Sequence, residues 1–393
     1  MARTARLDAA APPGLADRVL GWRDRLLASP GFRRWAARFP PTRPIARRRA
    51  RALFDLAAGF VYAQVLLAGV RLRLFEILAE GPARADAIGR RVGLTTESAA
   101  RLLDAAVALR LAARRSSDRY GLGPLGAALV DNPAVLAMVE HHPMLYADLA
   151  DPVALLRGEA GPGRLARYWP YSGARTPDTL AASETAPYST LMAASQALVA
   201  AEILDAYPLR GHRRLLDVGG GDGAFLVEAG RRWPHLELAL FDLPTVAERA
   251  RARLDAAGLG RARVRGGDFL VDDLVAPDSP ESGGPDVVAL VRVVHDHDDA
   301  AVLALLRAAH RALAPGGCLL LAEPMARTPG AEPMGDAYFG FYLLAMGQGR
   351  PRSAEGLTAL LETAGFASVR RPRTSTPLLT GLLVARKRDV SLA

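Results

Sequence analysis

The chain has 393 residues, half of them hydrophobic, a formal net charge of +9 and a single cysteine, Cys318. That length allows two or three domains and a sizeable core, and one cysteine excludes a disulfide framework or a cysteine-based metal site. The charge is local: residues 1–55 hold 13 Arg and 4 Asp, so the remainder is neutral and the basicity does not argue for a nucleic-acid-binding core.

Residues 1–14 are expected to be disordered. Over 15–39, Leu15, Val19, Trp22, Leu26 and Leu27 fall at helical spacing among Arg18, Arg23 and Arg25. After a Ser-Pro-Gly break, Phe32, Trp35 and Phe39 repeat the pattern. Short Arg-rich segments bearing Trp suit a membrane interface, and packing on the protein's own body or on a partner subunit accounts for the same spacing. Residues 1–50 therefore read as a basic arm, with Pro40, Pro41 and Pro44 and the run Arg47–Arg51 at its end. No uninterrupted apolar stretch of signal-peptide type occurs in it. The apolar run Leu56–Val70 has fifteen residues, against roughly 20 needed to span a bilayer. A cytoplasmic protein is expected.

Residues 51–185 are expected to form one helical domain. Between 53 and 130 the order is helix, turn at Gly81-Pro82, helix, turn at Gly93, helix from Thr95, then a short hairpin near Arg114–Leu122, which is a winged helix-turn-helix pattern. Alone it would suggest a DNA-binding regulator. Its third helix, however, carries only Arg101 and Arg110 as bases beside Glu97 and Asp104, a poor surface for phosphates. No nucleic-acid partner is expected. His141, His142, Tyr146, Tyr168, Trp169 and Tyr171 cluster in the irregular stretch that follows. No third ligand stands at helical spacing from the histidine pair, so packing or pocket lining is the reading, and no metal is expected.

Residues 186–393 are expected to be an α/β domain. A helix over 187–208 leads in, and from 213 strands and helices alternate as a parallel sheet requires. The strands are RLLDV, LELALFD, RARVRGGDF, DVVALVRVV and CLLLAEP, and the last segment offers two more around a turn. Residues 215–223, LLDVGGGDG, join a strand ending at Asp217 to a helix through Gly219, Gly220, Gly221 and Gly223. Glycines let the backbone turn sharply and approach a ligand, and the next helix begins with free N–H groups. Asp242 ends the next strand, 23 residues beyond Gly219, where a carboxylate grips ribose hydroxyls. The glycines run GGGxG, unlike the GxGxxG of a nicotinamide site.

The fourth strand runs into Val294-His295-Asp296-His297-Asp298-Asp299, which sets His295 at the carboxyl end of a central strand, where open α/β sheets place ligands. A histidine there suits proton transfer near neutral pH. Glu323 ends strand five and Glu355 follows, 28 and 60 residues after His295. A carboxylate on one ring nitrogen would fix the tautomer.

Together the acidic strand end, the glycine turn and RVVHDHDD resemble the class I S-adenosylmethionine (SAM) methyltransferases, and in particular the acetylserotonin/caffeate-type small-molecule O-methyltransferases, over residues 53–387. That resemblance implies a Rossmann-like SAM-binding sheet behind a winged-helix dimerisation and substrate-lid domain, and a homodimer. It implies His295 as general base flanked by Glu323 and Glu355. It implies SAM contacts from Asp217, Gly219, Gly221, Asp242, Leu243, Asp268, Phe269 and Arg292, and from Tyr188 and Met192 on the leading helix. His297 stands where the family has an aromatic residue and is read as packing. MVEHHPMLYADLADPVALLRG and RLARYWPYS further resemble the members that act on acyclic hydroxycarotenoids, which implies methylation of a tertiary C-1 hydroxyl and gives the arm a role at the membrane. A phenolic or polyketide substrate, and a SAM-binding regulator without turnover, are the alternatives.

Overall fold

The computed structural model describes residues 14–168, 196–275, 284–377 and 380–388. The expectations for residues 1–13, for Trp169 and Tyr171, and for Tyr188 and Met192 fall outside them. The chain divides into two compact units, Met1–Val130 and Asp131–Ala393.

In the first unit three helices, α1 (Leu15–Ala28), α2 (Pro30–Arg38) and α3 (Arg43–Arg71), precede the winged-helix pattern. Ser29 accepts the Phe32 N–H and Pro30 occupies the first turn, so the Ser-Pro-Gly break is an N-cap rather than a loop. The expected boundary at residue 50 cuts through α3. Pro44 sits in the first turn, where its missing N–H costs nothing, so the basic run and the apolar stretch join in one helix of 29 residues. Counted this way the helix is long and apolar enough to cross a membrane, which corrects the expectation from the apolar run alone, and its most apolar window is 11% buried. Its C-terminal end packs inward: Leu67, Gly69 and Val70 are buried.

The winged-helix pattern is present as read. Helices α4 (Leu74–Glu80), α5 (Ala85–Val92) and α6 (Thr96–Ala108) are followed by a hairpin, and strands β1 (Ala83–Arg84), β2 (Ala112–Arg115) and β3 (Arg119–Leu122) form a small sheet in the order β1-β3-β2. On α6, Arg101 pairs with Glu97 at 3.0 Å, while Asp104 takes Arg114 at 2.7 Å and the Tyr120 hydroxyl at 2.8 Å.

The second unit is built on a seven-stranded sheet. Strands β4 (Arg214–Val218), β5 (Glu237–Asp242), β6 (Arg263–Gly266), β7 (Val287–Val291), β8 (Cys318–Glu323), β9 (Ala367–Arg370) and β10 (Gly381–Arg386) stand in the order β6-β5-β4-β7-β8-β10-β9. The first five are parallel. β10 inserts antiparallel between β8 and β9, pairing Gly381 with Glu323. β7 and β8 are buried at every residue, as central parallel strands covered on both faces must be, and this explains their unbroken apolar runs. Cys318 is one of these buried residues. Of the leading helix, residues 196–206 are described and helical.

Residues from 131 belong with this unit, against the expectation that they complete the winged-helix domain. The helix Pro133–Asp148 lies on the helix Phe339–Met346, where Leu145, Leu165, Tyr342 and Leu343 form a buried cluster. Two hydrogen bonds link the pieces: His141 Nε2 to Tyr342 Oη at 2.8 Å and His142 Nε2 to Tyr338 Oη at 3.0 Å. The histidine pair is thus partnered with tyrosines.

Candidate active site

Parallel sheets collect their loops at the strands' carboxyl ends, and there this chain gathers most of the predicted residues. At the end of β4 the glycine turn folds round Asp217. Gly219 has φ +67° and a Cβ there would lie 2.8 Å from Val293 Cγ2, so only glycine fits. Asp242, ending β5, accepts the Gly221 N–H at 2.8 Å and the Leu243 N–H at 2.7 Å. Burial pushes the Asp242 carboxyl up to about 6, although both N–H groups and Arg249 oppose it. Asp217 is fully buried, its pKa pushed up to about 8 by burial and by Asp242. Neither oxygen of Asp217 has a hydrogen-bond partner among the described residues.

Burying a carboxyl group without a partner is costly, and a nearby cation or hydrogen-bond donor would relieve that cost. SAM brings an ammonium group, a sulfonium and a ribose diol, so Asp217 and Asp242 suit it. Next to them, Asp268 Oδ1 accepts the Leu270 N–H at 2.8 Å, and Phe269, half-buried, meets His297 edge-on at 5.4 Å. That contact, with burial pushing His297 down to about 4, agrees with packing for His297.

His295 lies on a 3-10 turn, Val294–Asp296, after β7. It is buried, and Nδ1 forms a short hydrogen bond to Glu323 Oε2. Glu323 Oε1 accepts the N–H groups of Val293 at 2.9 Å and Val294 at 2.8 Å. Burial disfavours the charged imidazole, but Asp296 and Glu323 outweigh it and hold the His295 pKa above the ordinary 6.5. Asp296 Oδ1 lies 3.1 Å from His295 Nε2 and has no hydrogen-bond partner among the described residues. Burial pushes Asp296 up to about 6. Arg292, which precedes the turn in a left-handed conformation (φ 60°), bears electrostatically on both and on Tyr338.

Glu355 is the exception. The structure does not bring it to His295. It is exposed in the first turn of the helix Ala354–Thr363, where its own N–H and the Ser353 hydroxyl lower its pKa. Helix-start geometry, a capping arrangement with Ser353, decides its place. Three groups escaped the sequence reading. Asp296 was visible as the neighbour of His295, without a role. Phe339 meets the His295 ring edge-on at 6.0 Å, and Tyr338 and Tyr342 pack around it. Their signal was the aromatic run AYFGFY. Arg352 gave no local signal.

A buried histidine–carboxylate pair beside a glycine turn, on a parallel sheet with one antiparallel strand near its edge, fits a SAM-dependent methyltransferase. The family models agree: an O-methyltransferase domain matches residues 146–367 and an O-methyltransferase dimerisation domain matches 54–132. The chain belongs to the SAM-dependent O-methyltransferase family. It is 46% identical to a demethylspheroidene O-methyltransferase from Cereibacter sphaeroides, over 88% of this chain and 89% of that one. It is 42% identical to the enzyme of the same name from Rhodobacter capsulatus, over 89% and 85%. Among solved structures, CalO1, a methyltransferase in calicheamicin biosynthesis bound to SAH, matches with a TM-score of 0.71 at 26% identity, over 86% of this chain and 98% of that one. The dimerisation domain supports a homodimer.

Proposed function

We propose that this O-methyltransferase methylates the tertiary C-1 hydroxyl of an acyclic hydroxycarotenoid, with His295 as general base and Glu323 orienting it. The observation that carries the substrate is the likeness, over nearly nine-tenths of the chain, to two enzymes named for demethylspheroidene. The aromatic wall of Tyr338, Phe339 and Tyr342 beside His295 supports an apolar substrate.

SAM, when bound, supplies an electrophilic methyl group on a sulfonium. Glu323 holds Nδ1, which fixes the ring proton there, and Nε2, 3.1 Å from Asp296 Oδ1, is the nitrogen that takes the substrate's hydroxyl proton. A tertiary alkanol is weakly acidic, so Nε2 takes the proton as transfer proceeds rather than before it. Glu323 and Asp296 then carry the imidazolium charge. Asp217, Gly219, Gly221, Asp242, Leu243, Asp268 and Phe269 form the cofactor side, joined by Arg292; Tyr188 and Met192, outside the described residues, are assigned to it on the family resemblance alone.

The exposed face of α3, with Leu53, Phe54, Leu56 and Phe60, is assigned to the homodimer contact, since the dimerisation domain begins at residue 54. Helices α1 and α2 expose Leu15, Val19, Trp22 and Trp35 among arginines. This arm is assigned to the anionic surface of the membrane that holds the substrate, making the enzyme cytoplasmic and peripheral.

Labelled SAM should transfer its methyl group to a 1-hydroxylated acyclic carotenoid in detergent, with His295→Ala lowering kcat by about 10²–10⁴-fold. Product on phenols alone would keep the mechanism and discard the carotenoid. Full activity of His295→Ala would discard the base. Removal of residues 1–38 should abolish sedimentation with phosphatidylglycerol vesicles; unchanged sedimentation would discard the membrane role.

A further inference from the structure

The turn that carries His295 is held from two sides, and only one belongs to the base–carboxylate pair. On the amide side, Glu323 takes the Val293 and Val294 N–H groups. On the carbonyl side, four consecutive carbonyls are each taken by one short segment, residues 348–352. Arg352 Nη1 donates to Val294 O at 2.8 Å, the Arg350 backbone N–H to His295 O at 2.9 Å, Gln348 Nε2 to Asp296 O at 3.2 Å, and Arg352 Nη2 to His297 O at 2.7 Å.

Close approach is built into the backbone. Gly349 has φ +80°, and a Cβ there would run into the His295 carbonyl oxygen. Arg352 is buried, and its Nε donates to Asp299 Oδ1 at 2.8 Å. Its own carbonyl accepts the Ala326 N–H at 3.0 Å, three residues past Glu323. Arg352 thus holds the turn bearing the base through its guanidinium, while its backbone carbonyl ties the segment to the loop just past the strand end bearing the carboxylate.

We propose that residues 348–352 form a clamp that sets the position of the His295 ring, with Arg352 as its anchoring, positioning residue. The inference rests on His295 being the base. Within the one-turn 3-10 helix only Val294 O gains a long bond of its own, from the His297 N–H at 3.4 Å, so these carbonyls must find partners elsewhere. Here the partners converge on a rigid planar fork, which a lysine ammonium cannot reproduce. A base must stand within hydrogen-bond reach of the proton it takes, so a shift of about 1 Å costs about 10²-fold in rate.

The test is steady-state kinetics and SAM binding of the full-length enzyme, with the substrate it turns over, for Arg352→Ala, Arg352→Lys, Gln348→Leu and His295→Ala. Arg352→Ala should lower kcat by about 10²-fold with little change in SAM affinity, and should displace the acid limb of the pH–rate profile. Added guanidinium ion should restore part of the rate, while Arg352→Lys should not. Gln348→Leu, which removes one surface-side donor, should fold normally and lower kcat by a smaller factor. Normal kcat and pH profile in Arg352→Ala and Gln348→Leu, with His295→Ala inactive, would overturn the clamp and leave the base intact. Parallel loss of SAM binding and thermal stability, with no guanidinium rescue and a normal Gln348→Leu, would also overturn it, making Arg352 a fold-wide anchor. An active His295→Ala would instead remove the base reading itself.

Discussion

Asp217 and Glu323 end two strands of one sheet, on either side of β7, and both are almost fully buried. Their surroundings are opposite. Glu323 receives two backbone N–H groups and the His295 ring, whereas Asp217 has no hydrogen-bond partner among the described residues. Burying a carboxylate is tolerable when its lone pairs are filled and costly when they are not. Among the described residues, then, the His295 side is filled by the chain's own groups and the Asp217 side is not. Glu355, a third carboxylate, is exposed at a helix start and has its local partners in its own N–H and Ser353.

The largest effect should come from Glu323. Glu323→Gln keeps the shape but cannot fill the same three donors, and kcat should fall by about 10²–10⁴-fold while SAM affinity holds. His295 works as a base when neutral, so the rate rises as pH passes its raised pKa, above 6.5. Loss of a charge that raises that pKa should move the acid limb to lower pH. SAM binding that weakened in step with kcat would break the division between the two sides.

Asp217→Asn should act on the other side, weakening SAM binding by about tenfold, roughly 1.4 kcal/mol, with a smaller effect on kcat at saturation. It also carries a pH signature. The folded pKa of about 8 lies above the ordinary 3.8, so its stability contribution is full below 3.8 and is lost as pH rises through about 8. The ligand-free Asn variant should therefore gain melting temperature over the unaltered chain most clearly above pH 8. A melting series with no such crossover would mean that Asp217 is already satisfied without ligand. Glu355→Gln should do least, leaving turnover near normal and slightly loosening its helix; a large loss of kcat would return Glu355 to the site.

Much of this arrangement was legible in residue order. Strand positions followed from apolar runs, the glycine turn from GGGDG, and the place of His295 from its position after the fourth strand. Glu323 was legible because a carboxylate ending the strand next to β7 must lie beside the turn leaving it. The surroundings of Glu355 were not legible, because sequence distance says nothing of which way a first-turn side chain faces. Residue 50 looked like a boundary because prolines and arginines precede it, yet a proline in the first turn starts a helix as readily as it ends one.

By itself the sequence determined the periodic features: the winged helix, the alternation of strands and helices, the glycine turn and the place of His295 after the fourth strand. Each follows from backbone geometry within a few neighbouring residues, which is information a linear pattern carries. Only the tertiary structure decided that Asp217 is buried without a hydrogen-bond partner among the described residues, that Tyr338 and Tyr342 answer the two histidines, and that Arg352 reaches back 55 residues to His297 O. Those are meetings between distant segments, set by how buried polar groups find partners once the core has closed, and no local spacing encodes them.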